Sequence, residues 1–252
     1  MGINKNYFPV IQKALEAAPV PIVDIRMCEF GCQSLKLPGY FVGPAKLYFE
    51  GLGIQHTSFD LNGDWGAQVE DLGRLIEPPA ERFHVLTNFG TSEHVEDQWE
   101  CFANAHVLCE TGGIMAHLVP TVDHCKGHGV YTYPVEFFEG LAERTGYEMI
   151  SRGIAVGPVE ARVDHAFAVM RKTSDDEFID PESFAALPIE RDAQAQNSGD
   201  YENETQSLPR ILVRTFRRRL AWERCRRASA RMRAGKSLGE LPCAREGSLQ
   251  FR

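Results

Sequence analysis

Acidic and glycine residues directly follow three apolar stretches of the sequence. Glu29 and Gly31 lie in CEFGCQ, Asp60 lies in FDLNG, and Gly90 lies in FHVLTNFGTSEHV. If the apolar stretches are strands of an open α/β sheet, these residues stand at the strand ends where such sheets bind ligands. A glycine lets the backbone approach a ligand closely, and a carboxylate can accept both hydroxyls of a ribose. The pattern therefore predicts a nucleoside-binding crevice, with Asp71 beside the edge of the base.

Each of these residues also has an interpretation that involves no ligand. Glu29 and Gly31 could be no more than a strand end and a turn, and the segment that contains Asp60, DLNGD, is good turn chemistry. The ligand interpretation is favoured because the features at three successive strand ends agree with one another.

Helical and strand-like patterns alternate between residues 5 and 173. We predict helices over 7–18, 43–53, 95–110 and 134–146, and strands over 23–31, 54–60, 82–89, 112–119, 147–156 and 165–172. This alternation predicts an α/β fold with a doubly wound, mainly parallel sheet and helices on both faces. No helix separates the last two strands, so we predict that they form an antiparallel hairpin at a sheet edge.

The distribution of charge divides the 252 residues into three regions. Residues 1–173 carry 13 Lys and Arg against 22 Asp and Glu, residues 174–207 carry one against 10, and residues 208–252 carry 13 against 3. We therefore predict a domain over 1–173, an acidic linker over 174–207 that is extended or disordered, and a basic, partly helical tail over 208–252.

The basic tail has three possible partners. Its cationic side chains could contact nucleic acid phosphates or lie on an anionic membrane surface, or the tail could fold back on the acidic linker or body. No aromatic residues alternate with the basic ones to stack on bases, so we expect the last two rather than nucleic acid. The N-terminus has no apolar signal-peptide core, and the seven cysteines contain no CxxC pair. A cytoplasmic location is the expectation, with most cysteines buried as small apolar residues.

The motifs at the strand ends resemble a known family. The string CEFGCQ, FDLNG, DL, FHVLTNFGTSEHV, GGIMAHLVP and GHGVYTYPVEFFEGLAERTGYE is similar to class I S-adenosylmethionine-dependent methyltransferases over residues 20–173. The resemblance implies that S-adenosyl-L-methionine is the cofactor. It further implies that the cofactor is held by Glu29, Gly31, Asp60, Asp71, Asn88, Phe89 and Gly90.

The sequence departs from the family pattern at the glycine-rich motif. Gln33, after Cys32, replaces the second glycine, and 29 residues separate Gly31 from Asp60 instead of the roughly 20 that are typical. We expect the intervening segment SLKLPGYFVGP to form an extra loop over the cofactor.

Transfer of a methyl group to a hydroxyl or amine requires removal of a proton from the acceptor, and histidine titrates in the right range. The candidate bases are His94, His117 and His128, with His124 in the same loop as His128. His117, Asp123, His124, Cys125 and His128 are also zinc-ligand types. Their spacing matches no standard zinc motif, so we predict no metal.

The implied function is methyl transfer to a hydroxyl or similar group of a small molecule or a glycan. One alternative is a non-catalytic binding or scaffold module that keeps the fold and has lost the cofactor, which the missing glycine favours. Another alternative is a nucleic-acid methyltransferase. The sequence speaks against it, because NFGT follows the predicted strand over 82–89 where such enzymes would have an NPPY-like motif.

Overall fold

The structure is a computed structural model, and it describes residues 2–124, 127–157, 163–193 and 195. The strands are β1 (Gly2–Asn4), β2 (Arg26–Phe30), β3 (Ser34–Leu37), β4 (Phe41–Pro44), β5 (Gln55–Asp60), β6 (Gln68–Val69), β7 (Phe83–Phe89), β8 (Cys109–Pro120), β9 (Tyr131–Thr132), β10 (Glu148–Ala155), β11 (His165–Arg171) and β12 (Glu190–Arg191). The α-helices are α1 (Phe8–Glu16), α2 (Ala45–Gly51), α3 (Gln98–Leu108), α4 (Val135–Thr145) and α5 (Pro181–Ala185).

A seven-stranded sheet with the order β10-β11-β8-β7-β2-β5-β6 forms the centre of the fold. The five strands from β8 to β6 are parallel, and β11 pairs antiparallel with both β8 and β10. The predicted doubly wound sheet and its terminal hairpin are therefore confirmed. The inner strands carry almost unbroken buried runs, as expected of parallel strands covered on both faces.

Two hydrophobic clusters cover the two faces of this sheet. The first contains side chains of α1 and α2, and the second contains side chains of α3, α4 and α5. The helix ends follow local chemistry. Asp97 caps α3 by accepting a hydrogen bond from the Glu100 N–H at 2.9 Å, and α4 ends at Gly146, which has a φ of +70°.

The segment between Gly31 and α2 is a β-hairpin, which corrects the expectation of an extra loop. Its strands β3 and β4 pair antiparallel, and β3 also pairs with β1 to make a separate three-stranded sheet. Leu35, Leu37 and Phe41 are buried in the first hydrophobic cluster. Burial of these apolar side chains holds the hairpin on the body of the domain.

The region predicted to be an acidic linker begins as part of the folded body. Within its described residues, α5 is capped by Asp180, whose carboxylate accepts a hydrogen bond from the Ser183 N–H at 2.9 Å, and β12 pairs with β9. Phe184 and Leu187 are buried in the second hydrophobic cluster. The domain therefore continues past residue 173, because Phe184 and Leu187 pack in the same hydrophobic cluster as side chains of α3 and α4. The predicted tail over 208–252 lies outside the described residues.

Within the described ranges of the chain, four cysteines are free thiols, and Cys28, Cys101 and Cys109 among them are buried, as expected. Over the part of the chain that the structure describes, no helix has both the length and the apolar character needed to cross a membrane.

Candidate active site

The carboxyl ends of β2, β5 and β7 meet at one edge of the sheet and form a crevice around Gly31. The Gly31 N–H donates to the Phe59 carbonyl oxygen at 2.7 Å, and its φ of +79° is a conformation that L side chains rarely adopt. A Cβ atom on Gly31 would lie 2.4 Å from the Thr91 hydroxyl oxygen. Thr91 in turn donates to the Phe30 carbonyl oxygen at 2.8 Å. Only glycine allows the β2 loop and the β7 loop to approach this closely.

The Asp60 carboxylate turns toward the loop that follows β2. Its Oδ2 accepts a hydrogen bond from the Cys32 N–H at 2.7 Å, and its Oδ1 accepts one from the Asn62 N–H at 3.1 Å. A carboxylate has about four acceptor positions, so each oxygen retains capacity for a ligand hydroxyl. The structure thus brings Asp60 and the Gly31 loop together as the sequence predicted.

Glu29 lies beneath this loop and is almost completely buried. Its Oε2 accepts a hydrogen bond from the Gln33 N–H at 3.2 Å, and among the described residues its Oε1 has no hydrogen-bond partner. Burial raises the pKa of this carboxyl to about 8, an effect that the Gln33 N–H and Lys46 oppose and Asp60 reinforces. Glu29 therefore positions the loop from below.

Gln33 occupies the position where the second glycine of the family motif was expected. Its side-chain amide donates to the Thr91 hydroxyl at 3.3 Å. Its Oε1 is buried, and no described group donates a hydrogen bond to it. The Gln33 side chain therefore links the loop after β2 to Thr91. Its Oε1 atom remains as a buried acceptor for a hydrogen-bond donor of a ligand.

Asp71 lies on the exposed rim of the crevice. Its Oδ1 accepts a hydrogen bond from the Gly73 N–H at 3.0 Å, and its Oδ2 lies 3.3 Å from Arg74 Nε. A Cβ on Gly73 would be 3.4 Å from Val95, which places this turn beside the loop after β7. Asp71 therefore organises a turn at the rim, and half of its side chain is exposed.

The side chains of Asn88 and Phe89 do not face the crevice. The Asn88 amide donates to the Ser92 hydroxyl at 2.9 Å, and its carbonyl oxygen accepts from the Ser92 N–H at 3.1 Å. Phe89 is buried in the hydrophobic cluster beneath α1 and α2. The Gly90 N–H donates to the Leu118 carbonyl oxygen at 2.9 Å. A ligand at this strand end would therefore meet the backbone around Gly90 rather than these two side chains.

The structure brings two of the three predicted catalytic histidines together and places the third elsewhere. The rings of His94 and His128 have centroids 5.0 Å apart. His117 is buried between Phe102 and Phe138, with ring centroids at 5.3 and 5.4 Å, and burial lowers its pKa to about 3. His117 is therefore a packing residue, and this corrects its assignment as a candidate base. The sequence placed His117 within a predicted strand but could not show that both faces of that strand are covered.

The loop histidine His124 is part of a backbone contact. Its Nδ1 accepts a hydrogen bond from the Asp164 N–H at 3.1 Å, which ties the loop after β8 to the segment before β11. His106 on α3 is also buried, and its Nδ1 lies 2.6 Å from the Tyr147 hydroxyl oxygen.

Sequence reasoning did not predict roles for Thr91, Gln33 and Glu93. Thr91 and Gln33 close the Gly31 loop, and Glu93 lies buried beside His94, with 3.7 Å between its Oε1 and His94 Nε2. The sequence does contain an indication that Glu93 could have a role, because Glu93 and His94 form a Glu-His pair shortly after the end of a predicted strand. Nothing in the sequence showed that the carboxylate would point inward.

Comparison with solved structures gives the fold a name. The 1,6-didemethyltoxoflavin N1-methyltransferase of Burkholderia thailandensis, solved with 1,6-didemethyltoxoflavin and S-adenosylhomocysteine, matches with a TM-score of 0.50 and 15% identity, over 66% of this chain and 77% of that chain. This chain has the class I methyltransferase fold. The family resemblance seen in the sequence is thereby confirmed at the level of the fold.

Further matches have lower TM-scores. The N-methyltransferase NodS of Bradyrhizobium japonicum WM9 matches at 0.47 with 13% identity, over 66% of this chain and 94% of that chain. The [4+2]-cyclase SpnF matches at 0.48 with 13% identity, over 66% of this chain and 80% of that chain. No protein-family model matches the sequence, and a search of curated proteins finds no significant match.

Proposed function

We propose that this protein is an S-adenosylmethionine-dependent methyltransferase that acts on a hydroxyl or similar group of a small molecule or a glycan. The observation that carries the proposal is the crevice in which the Asp60 carboxylate lies 2.7 Å from the Cys32 nitrogen, directly beside Gly31. The solved neighbour with the same fold supports it, because S-adenosylhomocysteine is bound in that protein.

The residues of the crevice fit the cofactor. Each Asp60 oxygen has acceptor capacity left for one hydroxyl of a ribose diol. The close contact between Gly31 and Thr91 leaves no room for a side chain at position 31, so the backbone is bare there. The buried Gln33 Oε1 needs a hydrogen-bond donor. We assign the ribose to Asp60, the amino-acid portion to the loop of Gly31 and Gln33, and the base to the rim at Asp71.

S-adenosylmethionine supplies a methyl group that is already activated on a sulfonium, so the contribution of the protein is mostly proximity and orientation. The loop around Gly31 provides a rigid platform for this task, because Glu29 and Asp60 each accept a hydrogen bond from one of its N–H groups. His94 and His128 lie in the loops after β7 and β8, where an acceptor would approach. Burial, with a further contribution from His128, lowers the pKa of His94 to about 4, so His94 is neutral at pH 7.

The test is isothermal titration calorimetry of the full chain with S-adenosylmethionine and S-adenosylhomocysteine. We expect the wild type to bind in the micromolar range and Asp60→Ala to lose at least tenfold in affinity, since it loses the ribose contacts and the Cys32 hydrogen bond. Asp24→Ala is the matched control, because Asp24 is exposed just before β2, at the opposite end of the strand from Gly31. Absence of binding by the wild type would overturn the proposal.

A second candidate is the binding module that has lost its cofactor, and one contact favours it. The Gln33 amide bridges to Thr91 across the mouth of the loop, which would suit a crevice that is held closed. The same calorimetry separates the two, and Gln33→Gly adds a diagnostic comparison. If only the glycine variant binds the nucleoside, the chain is the binding module. If the wild type also binds, and an acceptor is methylated, the binding-module alternative is excluded.

A further inference from the structure

Three potential metal ligands meet next to the crevice, at the loops that follow β7 and β8. Glu93, His94 and His128 each offer one ligand atom, and these atoms lie within 4.8 Å of one another. The set contains two imidazoles and one carboxylate. This is the combination found at non-haem iron sites and at many catalytic zinc sites. It differs from the histidine, aspartate and cysteine cluster considered from the sequence.

The carboxylate of this trio lacks hydrogen bonds. Glu93 is 0% exposed, and neither of its oxygens has a hydrogen-bond partner within the described part of the chain. A buried carboxyl group without partners is costly. A divalent cation would supply the missing electrostatic partner.

The fold holds the two loops against each other at this point. The Val130 N–H donates to the Glu93 carbonyl oxygen at 2.7 Å. A Cβ on Gly129 would lie 2.7 Å from Glu93 Cγ, so the glycine next to His128 is in direct contact with the acid. The Gly127 N–H donates to Asp192 at 2.5 Å and anchors the start of the same loop. Backbone contacts, rather than chance proximity of flexible side chains, therefore bring His128 to Glu93.

The two imidazole rings lie side by side at this point. Their centroids are 5.0 Å apart, with an angle of 78° between the ring planes. Each ring offers one nitrogen to the same small volume as the Glu93 carboxylate, and imidazole binds a metal ion through an unprotonated nitrogen.

We propose that Glu93, His94 and His128 form a binding site for a divalent first-row transition metal ion. Imidazole nitrogens favour later first-row ions such as iron, cobalt, nickel and zinc over magnesium or calcium, which prefer oxygen ligands. In a tetrahedral site with metal–ligand bonds of about 2.0 to 2.2 Å, two ligand atoms lie about 3.3 to 3.6 Å apart. The three ligand atoms, which lie within 4.8 Å of one another, therefore need to draw together by up to about 1.5 Å. Three protein ligands leave coordination positions open for an oxygen of another molecule.

This inference deepens the proposed function and rests on it for the role of the metal. An oxygen of the methyl acceptor in an open position would have its pKa lowered by the cation, which would assist removal of its proton. The proximity of the two sites is direct, since Thr91, which contacts the Gly31 loop, is only two residues from Glu93. The expected acceptor is therefore one with a hydroxyl that can coordinate a metal.

The experiment is metal titration of the tag-free full chain after removal of bound metal with EDTA. Zn²⁺ and Mn²⁺ are titrated by calorimetry, and Co²⁺ is followed through its visible absorption, all without S-adenosylmethionine. We expect one equivalent to bind to the wild type, and Glu93→Gln and His128→Gln to lose at least tenfold in affinity. His124→Gln is the matched control, because His124 lies in the same loop but bonds the Asp164 N–H instead.

Thermal unfolding of the metal-free proteins separates a metal ligand from a structural residue. Glu93→Gln removes a buried ionisable group that lacks hydrogen bonds, so the metal-free variant should melt no lower than the wild type at pH 8. Absence of one-equivalent binding for all three ions would overturn the proposal, and so would an equal loss in His124→Gln. Failure of S-adenosylmethionine binding with intact metal binding would reject the proposed function and leave the metal site standing.

Discussion

Glu29 offers a direct test of the physical description of the crevice, because its charge state should couple folding to pH. The carboxyl is 1% exposed, and burial raises its pKa from 4.5 to about 8. Between these two values the folded protein holds a proton that the unfolded chain has released. A rise in pH therefore favours unfolding. The contribution of Glu29 to stability is fully present below pH 4.5 and is lost as the pH rises through 8.

The size of the effect follows from the same two values. One proton bound only in the folded state changes the free energy of unfolding by about 1.4 kcal/mol per pH unit. Over two pH units inside this window, from about 5.5 to 7.5, the wild type should lose roughly 2 to 3 kcal/mol through Glu29. Glu29→Gln has no proton to lose, and its amide oxygen can still accept the hydrogen bond from the Gln33 N–H.

The measurement is urea-induced unfolding of wild type and Glu29→Gln at about pH 5.5, 6.5 and 7.5 in EDTA, followed by circular dichroism. We expect the stability of the variant relative to the wild type to increase by roughly 2 to 3 kcal/mol across the series. Glu93 and the buried histidines other than His56 are present in both proteins, so their contributions cancel in the difference. His56 Nε2 lies 3.7 Å from Glu29 Oε2, so His56 is part of the group under test. Glu143→Gln, at an exposed position on α4, should show no such trend. A difference that stays constant with pH would refute the reasoning.

Three further predictions concern the loop, the domain boundary and the buried imidazole. Gly31→Ala should cost more stability than Gly39→Ala and should weaken S-adenosylmethionine binding. Both glycines have a positive φ, which costs about 1 to 2 kcal/mol for any side chain. Only at Gly31 would the new Cβ meet Thr91, whereas nothing lies within 4 Å of a Cβ at Gly39. Equal urea midpoints for the two variants would contradict this prediction. Phe184→Ala should lower the free energy of unfolding by about 3 kcal/mol through loss of core packing, whereas a loss below about 0.5 kcal/mol would mean that α5 contributes little to the core. The His117 ring should stay neutral at pH 5 in nitrogen-15 NMR, since burial lowers its pKa to about 3, and a charged ring at that pH would show that it is accessible.

The alternation of strands and helices could be predicted because its signals are local. Each predicted helix and strand is present in the structure, with ends shifted by up to three residues, because apolar runs and glycine or proline punctuation act over a few residues. The hairpin β3–β4 and helix α5 were missed for the opposite reason. Each is short, and its stability comes from burial of side chains such as Leu35 and Phe184 against distant parts of the chain.

In the candidate site, too, features that depend on local sequence could be predicted, and features that depend on tertiary packing could not. Gly31 and Asp60 were identifiable because parallel strands deliver their carboxyl ends to one edge of a sheet. The direction of each side chain was not identifiable, so Asn88 turned out to bond Ser92 and His117 turned out to pack against aromatic rings. The type of a residue determines which chemistry its side chain can perform. Its burial and its hydrogen-bond and packing partners determine whether that side chain can reach a ligand.

The alternation of the main strands and helices, and the placing of Gly31 and Asp60 at one edge of the sheet, follow from the sequence alone, because they depend on local patterns and on a general property of parallel sheets. The meeting of Glu93, His94 and His128 came only from the tertiary structure. More than 30 residues separate the Glu93–His94 pair from His128, and two loops must pack through the Glu93–Val130 hydrogen bond before the three groups become neighbours. The loss of solvent that shifts their pKa values arises from that packing and has no signature in the sequence.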